Sequence, residues 1–123
     1  MAAFISGAPA ACVSVAMPAA SPGEVCVSAS VGTDVVVDVS AWFDAGLRAA
    51  TARLVDTREI GGRLGGGDVL RVPVVGVGGV PESGVAGVAL NVTAVDPAGW
   101  GWATVWPCGS PEPATSSVNF VSA

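Results

Sequence analysis

Histidine, lysine and tyrosine are all absent from this chain of 123 residues. Without the first two there is no Ser-His-Asp or Cys-His nucleophile system, no Schiff-base lysine, no lysine-bearing phosphate loop and no His-containing zinc site. The three cysteines are one short of an all-Cys zinc site. Only 12% of residues are charged, and the formal net charge of −5 opposes nucleic acid, which is bound by basic neutralisation of phosphate. No apolar run reaches the roughly 18 residues of a membrane-spanning helix, so no membrane insertion is expected. Carboxylates alone remain for acid–base chemistry, and neither a cofactor nor a metal is expected.

What is present is apolar and turn-rich. Hydrophobic residues, mainly Val and Ala, make up 51% of the chain, with 17 Gly and 9 Pro. Valine is stiff at χ1 and favours strands, while Gly and Pro supply turns rather than helix interiors. The length suits one domain with a single core. Cys12, Cys26 and Cys108 suit an oxidising compartment, in which two can pair and one is left over. Met1 to Ala20 is apolar but has no basic start and is interrupted by Pro9 and Pro18, so a signal peptide is not expected. Pro9-Ala10-Ala11-Cys12 faintly resembles a lipoprotein cleavage site, with Pro9 where leucine is usual.

Taken in order, Cys12–Met17 and Glu24–Val31 read as strands joined across Ser21-Pro22-Gly23, where Pro then Gly fits a type II turn. Thr33–Phe43 is a strand with Val35, Val37 and Val39 on one side and Val36, Asp38 and Ser40 on the other. Asp38 is then a carboxylate among valines, which needs a donor if that side is buried. Asp44–Ala52 has the one helical composition, and is expected to be a connector with at most one helical turn. Gly61–Gly67 reads as a flexible loop, and Val69–Val75 as a strand whose Pro73 belongs at an edge or bulge. Gly87–Pro107 reads as a hairpin turning at Asp96-Pro97-Ala98-Gly99. In it Leu90, Val92, Ala103 and Val105 point one way, and Asn91, Thr93, Trp102, Thr104 and Trp106 the other. Ser116–Val121 is a last strand. The expected class is all-β: an antiparallel sandwich, jelly-roll or immunoglobulin-like, of about seven to nine short strands.

The stretch LNVTAVDPAGWGWATVWPCG resembles a module common in secreted and cell-surface proteins of actinobacteria and related high-GC bacteria, typically LNVT-x-x-x-P…GY-x-TVYPCG. RLVDTR, VPVVGVGGVP, the VCV strand and TDVVVDVSAWF extend the likeness over most of the chain. Trp102 and Trp106 stand where tyrosine is usual, and Cys12 where an aliphatic is. The resemblance implies a disulfide between Cys26 and Cys108, with Cys12 the odd thiol. It attaches no activity, since such modules look like appendages in tandem arrays or beside secreted hydrolases. It also implies a shifted register: residues 1–44 resemble the C-terminal half of one module, 45–52 a connector, and 53–123 the N-terminal half of the next. Phe4-Ile5-Ser6 echoes Phe120-Val121-Ser122 in the same sense. A chain so divided pairs its halves internally, or between copies assembling head to tail.

Three groups of residues are candidates for function. Trp100, Trp102, Thr104, Trp106, Asn91 and Thr93 form a polar-aromatic face that a second sheet covers, a neighbouring copy docks on, or a glycan stacks on. Asp38, Asp56, Arg53 and Arg58 make structural ion pairs, the sharper reading being a catalytic carboxylate pair. Asp34, Asp38 and Asp44 are weighed as calcium ligands, without EF-hand spacing. Asn91-Val92-Thr93 matches a glycosylation acceptor but reads as a strand position. The expectation is a non-catalytic, secreted or cell-surface structural or adhesive module whose partners are copies of itself. A carbohydrate-binding module using Trp100, Trp102 and Trp106 is the alternative.

Overall fold

Valine at alternate positions builds two sheets whose apolar sides face each other. The computed structural model describes residues 8–18 and 22–121. Its strands are β1 (Ala10–Ala16), β2 (Glu24–Ala29), β3 (Asp34–Phe43), β4 (Leu47–Asp56), β5 (Val69–Pro73), β6 (Gly87–Val95), β7 (Gly101–Pro107) and β8 (Val118–Phe120). One sheet has the order β1-β6-β3-β4 and the other β5-β2-β7-β8, with every pairing antiparallel. The protein is an all-β sandwich. Val35, Val37, Val39, Val88, Leu90 and Val92 from the first sheet meet Val25, Val27, Val72, Ala103 and Val105 from the second in one core.

Gly87–Pro107 is not a hairpin. β6 lies between β1 and β3, and β7 between β2 and β8, in opposite sheets. The connection is an arch, with Asp96 at φ +51° and the Ala98 N–H donating to the Gly32 carbonyl at 2.8 Å. Pro97 explains part of this, because its ring holds φ near −65° whereas the common two-residue hairpin turns need positive φ. Packing explains the rest. A hairpin would lay the Leu90–Val92 and Ala103–Val105 stripes side by side on one sheet, while the arch sets them face to face.

The stretch expected as a connector is also different, since β4 occupies most of it. A tight turn precedes this strand: the Gly46 N–H donates to Asp44 Oδ1 at 2.8 Å, and the Asp44 N–H to the Gly46 carbonyl at 3.2 Å. Ten residues then pair with β3 from Phe43↔Leu47 to Val36↔Asp56, with register shifts on the way. Alanine favours helix only weakly over the alternatives, and a long tertiary ladder overrides it. The single helical turn, α1 (Thr57–Ile60), comes after β4 instead. Asp56 caps it by accepting from the Arg58 N–H, and Gly61 closes it at φ +73°.

Smaller features follow from local chemistry. β5 pairs only with β2 and ends at Pro73, so the residue without a ladder donor stands at an edge. Gly23 has φ +79°, as a type II turn requires of its second central residue. The glycine-rich loop is pinned at its middle: Leu64 is buried and exchanges backbone hydrogen bonds with Thr33 at 2.9 and 3.0 Å. Residues 10–43 pair with residues 69–107 along β1–β6, β3–β6, β2–β5 and β2–β7, all within one chain. The echo at Phe4-Ile5-Ser6 lies outside the described residues.

Cys26 and Cys108 form a disulfide with a Cα–Cα distance of 5.2 Å, tying β2 to the end of β7 across 82 residues of chain. Closing a loop of that length is worth about 4 kcal/mol by the chain-entropy relation. Replacing both residues by serine is expected to lower stability by up to about 4 kcal/mol, read as a fall in the urea midpoint. Replacing Cys12, which is exposed, should leave the midpoint within about 0.5 kcal/mol of the parent.

Candidate functional site

Side-chain alternation assigns each polar or aromatic candidate to an outer face. Asn91 and Thr93 alternate with the core residues Leu90, Val92 and Ala94, so they lie on the outside of the first sheet. Trp102, Thr104 and Trp106 alternate with Ala103 and Val105, and lie on the outside of the second. The six residues expected to form one face are therefore divided between opposite sides of the sandwich. The shared orientation assumed a hairpin, and the arch removes it.

Trp106 is not a contact surface. It is 7% exposed, stands opposite Cys26 in the β2–β7 register, and packs against the Cys26–Cys108 disulfide. The segment after Cys108 folds back along the same side. Ser28 Oγ donates to Glu112 Oε2 at 3.1 Å, Thr104 Oγ1 donates to the Thr115 carbonyl at 3.0 Å, and Ser117 Oγ accepts from the Val105 N–H at 3.0 Å. Thr104 is buried as a result. On the first sheet Thr93 is buried beside Val36, while Asn91 is half-buried between Cys12 and Asp38 in the cross-strand register.

Trp100 and Trp102 remain. They are 76% and 51% exposed, and they flank a groove of about 570 Å³ whose other walls are Pro9, Gly101, Asn119, Phe120 and Val121. None of the lining residues is charged. Gly101 shapes the floor, because a Cβ there would collide with Ser30 Oγ and come within 3.2 Å of the Phe120 ring. Ser30 holds the strand in place by accepting from the Trp102 N–H at 3.0 Å and donating its own N–H to the Trp102 carbonyl at 2.9 Å. Asn119 stands directly opposite Trp102 in the β7–β8 pairing. Pro9, Asn119, Phe120 and Val121 were not among the sequence candidates. For Asn119, Phe120 and Val121 the signal was the alternation in SSVNFV, which does not say which strand lies alongside.

The charged candidates come together on the first sheet's outer side as an ion-pair chain. Arg53 Nε donates to Asp38 Oδ1 at 2.9 Å, and Arg53 Nη1 lies 3.8 Å from Asp56 Oδ2. Arg58 grips Asp56 with Nε at 2.9 Å and Nη2 at 2.7 Å, while its backbone N–H donates to the same carboxylate at 3.0 Å. The donor that a buried Asp38 requires is thus Arg53. The Arg58 hydrogen bonds hold the Asp56 carboxyl below its ordinary range, against burial, which acts to raise it. Arg53 and Arg58 are raised in turn by the hydrogen bonds to Asp38 and Asp56. A carboxylate held ionised in an arginine fork is a poor proton donor, which suits anchoring better than catalysis.

Asp34, Asp38 and Asp44 are spread along β3 and just past its end. At about 3.3 Å per residue the outer two are about 30 Å apart, so the three cannot converge on one cation. Asp34 instead accepts from Thr57 Oγ1 at 2.8 Å and from Arg63 Nη1 at 3.1 Å. Among the described residues no group of three or more Cys, Asp or Glu side chains is placed to hold a metal ion.

Three expectations follow. Trp106→Ala should cost about 3–5 kcal/mol, as large aromatic truncations in a core do, while Trp100→Ala stays within about 0.5 kcal/mol; chemical denaturation compares them. Because the folded Asp56 has the lower pKa, its contribution is complete above the unfolded value near 3.8 and is lost as pH falls through the folded value. Asp56→Asn should therefore flatten the acid limb of the stability profile. Arg58→Met, which leaves the buried carboxylate short of donors, should lower the urea midpoint at neutral pH.

Comparison of the chain with protein-family models, with curated proteins and with solved structures finds no match.

Proposed function

We propose that this protein is a non-catalytic structural or adhesive module of the extracellular space, which contacts copies of itself or neighbouring modules through the Trp100–Trp102 groove. One observation carries the reading. Two tryptophans stand mostly exposed beside an uncharged groove, at 76% and 51%, although every other large aromatic among the described residues is at least half covered. Tryptophan brings a large apolar area, and interaction surfaces are where such residues remain uncovered in an isolated chain. The likeness to tandem surface modules supports the same reading, because such modules stand beside copies of themselves.

The carboxylates support a non-catalytic role, since Asp38 and Asp56 are engaged by Arg53 and Arg58. The buried Cys26–Cys108 bridge favours an oxidising compartment, and among the described residues no helix is long and apolar enough to cross a membrane. Head-to-tail assembly by strand complementation would reuse the internal register: residues 10–43 of one copy would pair with residues 69–107 of the next.

Glycan binding is the second reading, favoured by the amide of Asn119 opposite Trp102, since sugars are held by ring stacking together with amide hydrogen bonds. The two are separable. In the assembly reading, light scattering shows assemblies larger than a dimer, which Trp100→Ala with Trp102→Ala weakens at least tenfold, with unchanged melting. A monodisperse monomer at high concentration removes the assembly reading. A tryptophan fluorescence shift on titration with one glycan of a broad panel selects the second reading, and no response to any of them removes it.

A further inference from the structure

Each sheet of the sandwich has two edges, and three of the four are guarded. β4 carries Arg48 and Arg53, and the loop at Gly78 packs against its Ala52 and Leu54. β5 carries Arg71 and ends at Pro73. β8 is only three residues long. These are the usual means by which a sheet avoids pairing with another chain.

β1 has none of them. Its seven residues, Ala-Ala-Cys-Val-Ser-Val-Ala, include no charge, proline or glycine. Its register with β6 runs without a bulge from Ala10↔Thr93 to Ala16↔Gly87. Among the described residues β1 pairs with β6 alone, so alternate backbone N–H and C=O groups on its other side point outward. The core is also thin here: the inward-facing Ala11 and Val13 are only partly buried, whereas the central strands bury theirs fully. On the outer face Ala10, Cys12, Ser14 and Ala16 are all small and exposed, so nothing obstructs an added strand.

We infer that β1 is a self-pairing edge, through which two copies join antiparallel into one continuous eight-stranded sheet. The occupant follows from the chemistry of the edge. Unpaired backbone groups are satisfied by another extended strand, and an uncharged edge accepts one that buries no charge. A second β1 meets both needs and is self-complementary about a two-fold axis. Inward residues must face inward residues, so the register offsets are even. The one with full overlap places Val13 opposite its own copy, Cys12 opposite Ser14, and Ala11 opposite Val15. The half-covered Val13 and Ala11 are then flanked by Val13 and Val15 of the other copy. This surface is distinct from the tryptophan groove and does not depend on it.

The test uses the whole chain with Cys12→Ser, so that an adventitious thiol cross-link is not mistaken for pairing. Sedimentation or light scattering should show a concentration-dependent dimer. Cys12→Lys with Ser14→Lys puts ammonium groups across from one another at exposed positions, and should weaken the dimer at least tenfold with melting unchanged. Trp100→Ala with Trp102→Ala should leave the dimer intact. Separately, Ser14→Cys in the otherwise native chain should oxidise to a covalent dimer through Cys12 of one copy and the new thiol of the other. A Cys12→Ser chain that stays monomeric near 1 mM, or a dimer indifferent to the paired lysines, overturns the inference. Loss of association in the tryptophan variant alone assigns self-contact to the groove and likewise overturns it.

Discussion

The constraint on which the structure depends is the burial of two apolar stripes from adjacent strands against each other. Leu90 and Val92 on β6, and Ala103 and Val105 on β7, belong to one core yet lie in different sheets. Each fully buried valine or leucine contributes about 1.5–3 kcal/mol, so setting the stripes face to face is worth more than any single hydrogen bond forgone in the arch. β6 then occupies the middle of its sheet, pairing with β1 on one side and β3 on the other. The first half of the chain is held to the second by that placement, together with the pairing of β2 to β5 and β7.

Once the apolar stripes are committed to the interior, the two outer faces take different roles. The outside of the first sheet is consolidated by charge, with Arg53 joining Asp38 to Asp56 and Arg58 closing on Asp56. The outside of the second is consolidated by the Cys26–Cys108 bridge, Trp106 and the segment through Glu112 and Thr115. Among the described residues, the groove at Trp100 and Trp102 is one place left open to contact, and the rim of β1 is another. Both are apolar and uncharged, which is why contact with another surface, rather than chemistry on a substrate, is the function they suggest.

Much of this was legible in the sequence because period-two alternation survives whatever the strand pairs with. The residues that share a side on β3, β6 and β7 are grouped correctly from alternation alone, and Asp38 is correctly marked as needing a donor. Pro73 at an edge follows from its missing N–H. The misreadings share one cause: they required knowing a strand's neighbour. A hairpin and an arch have the same local pattern, so the Asn91, Thr93 and tryptophan positions looked like one face when they are two. Leu47 to Ala52 looked helical because alanine's preference is local, whereas its partner Ala41 is met only in the folded ladder. Trp106 and Trp102 are four residues apart on one side of one strand with opposite fates, decided by the disulfide and the returning segment.

By itself the sequence determined the class of the fold, which residues share a side on β3, β6 and β7, and the exclusion of histidine and lysine chemistry, because these depend on residue identity and side-chain alternation. Only the tertiary structure decided which sheet each strand joined, that β4 was a strand at all, and which tryptophans stayed uncovered. Alternation specifies a side and not a neighbour, and the choice of neighbour is settled by the total apolar area the whole chain removes from water.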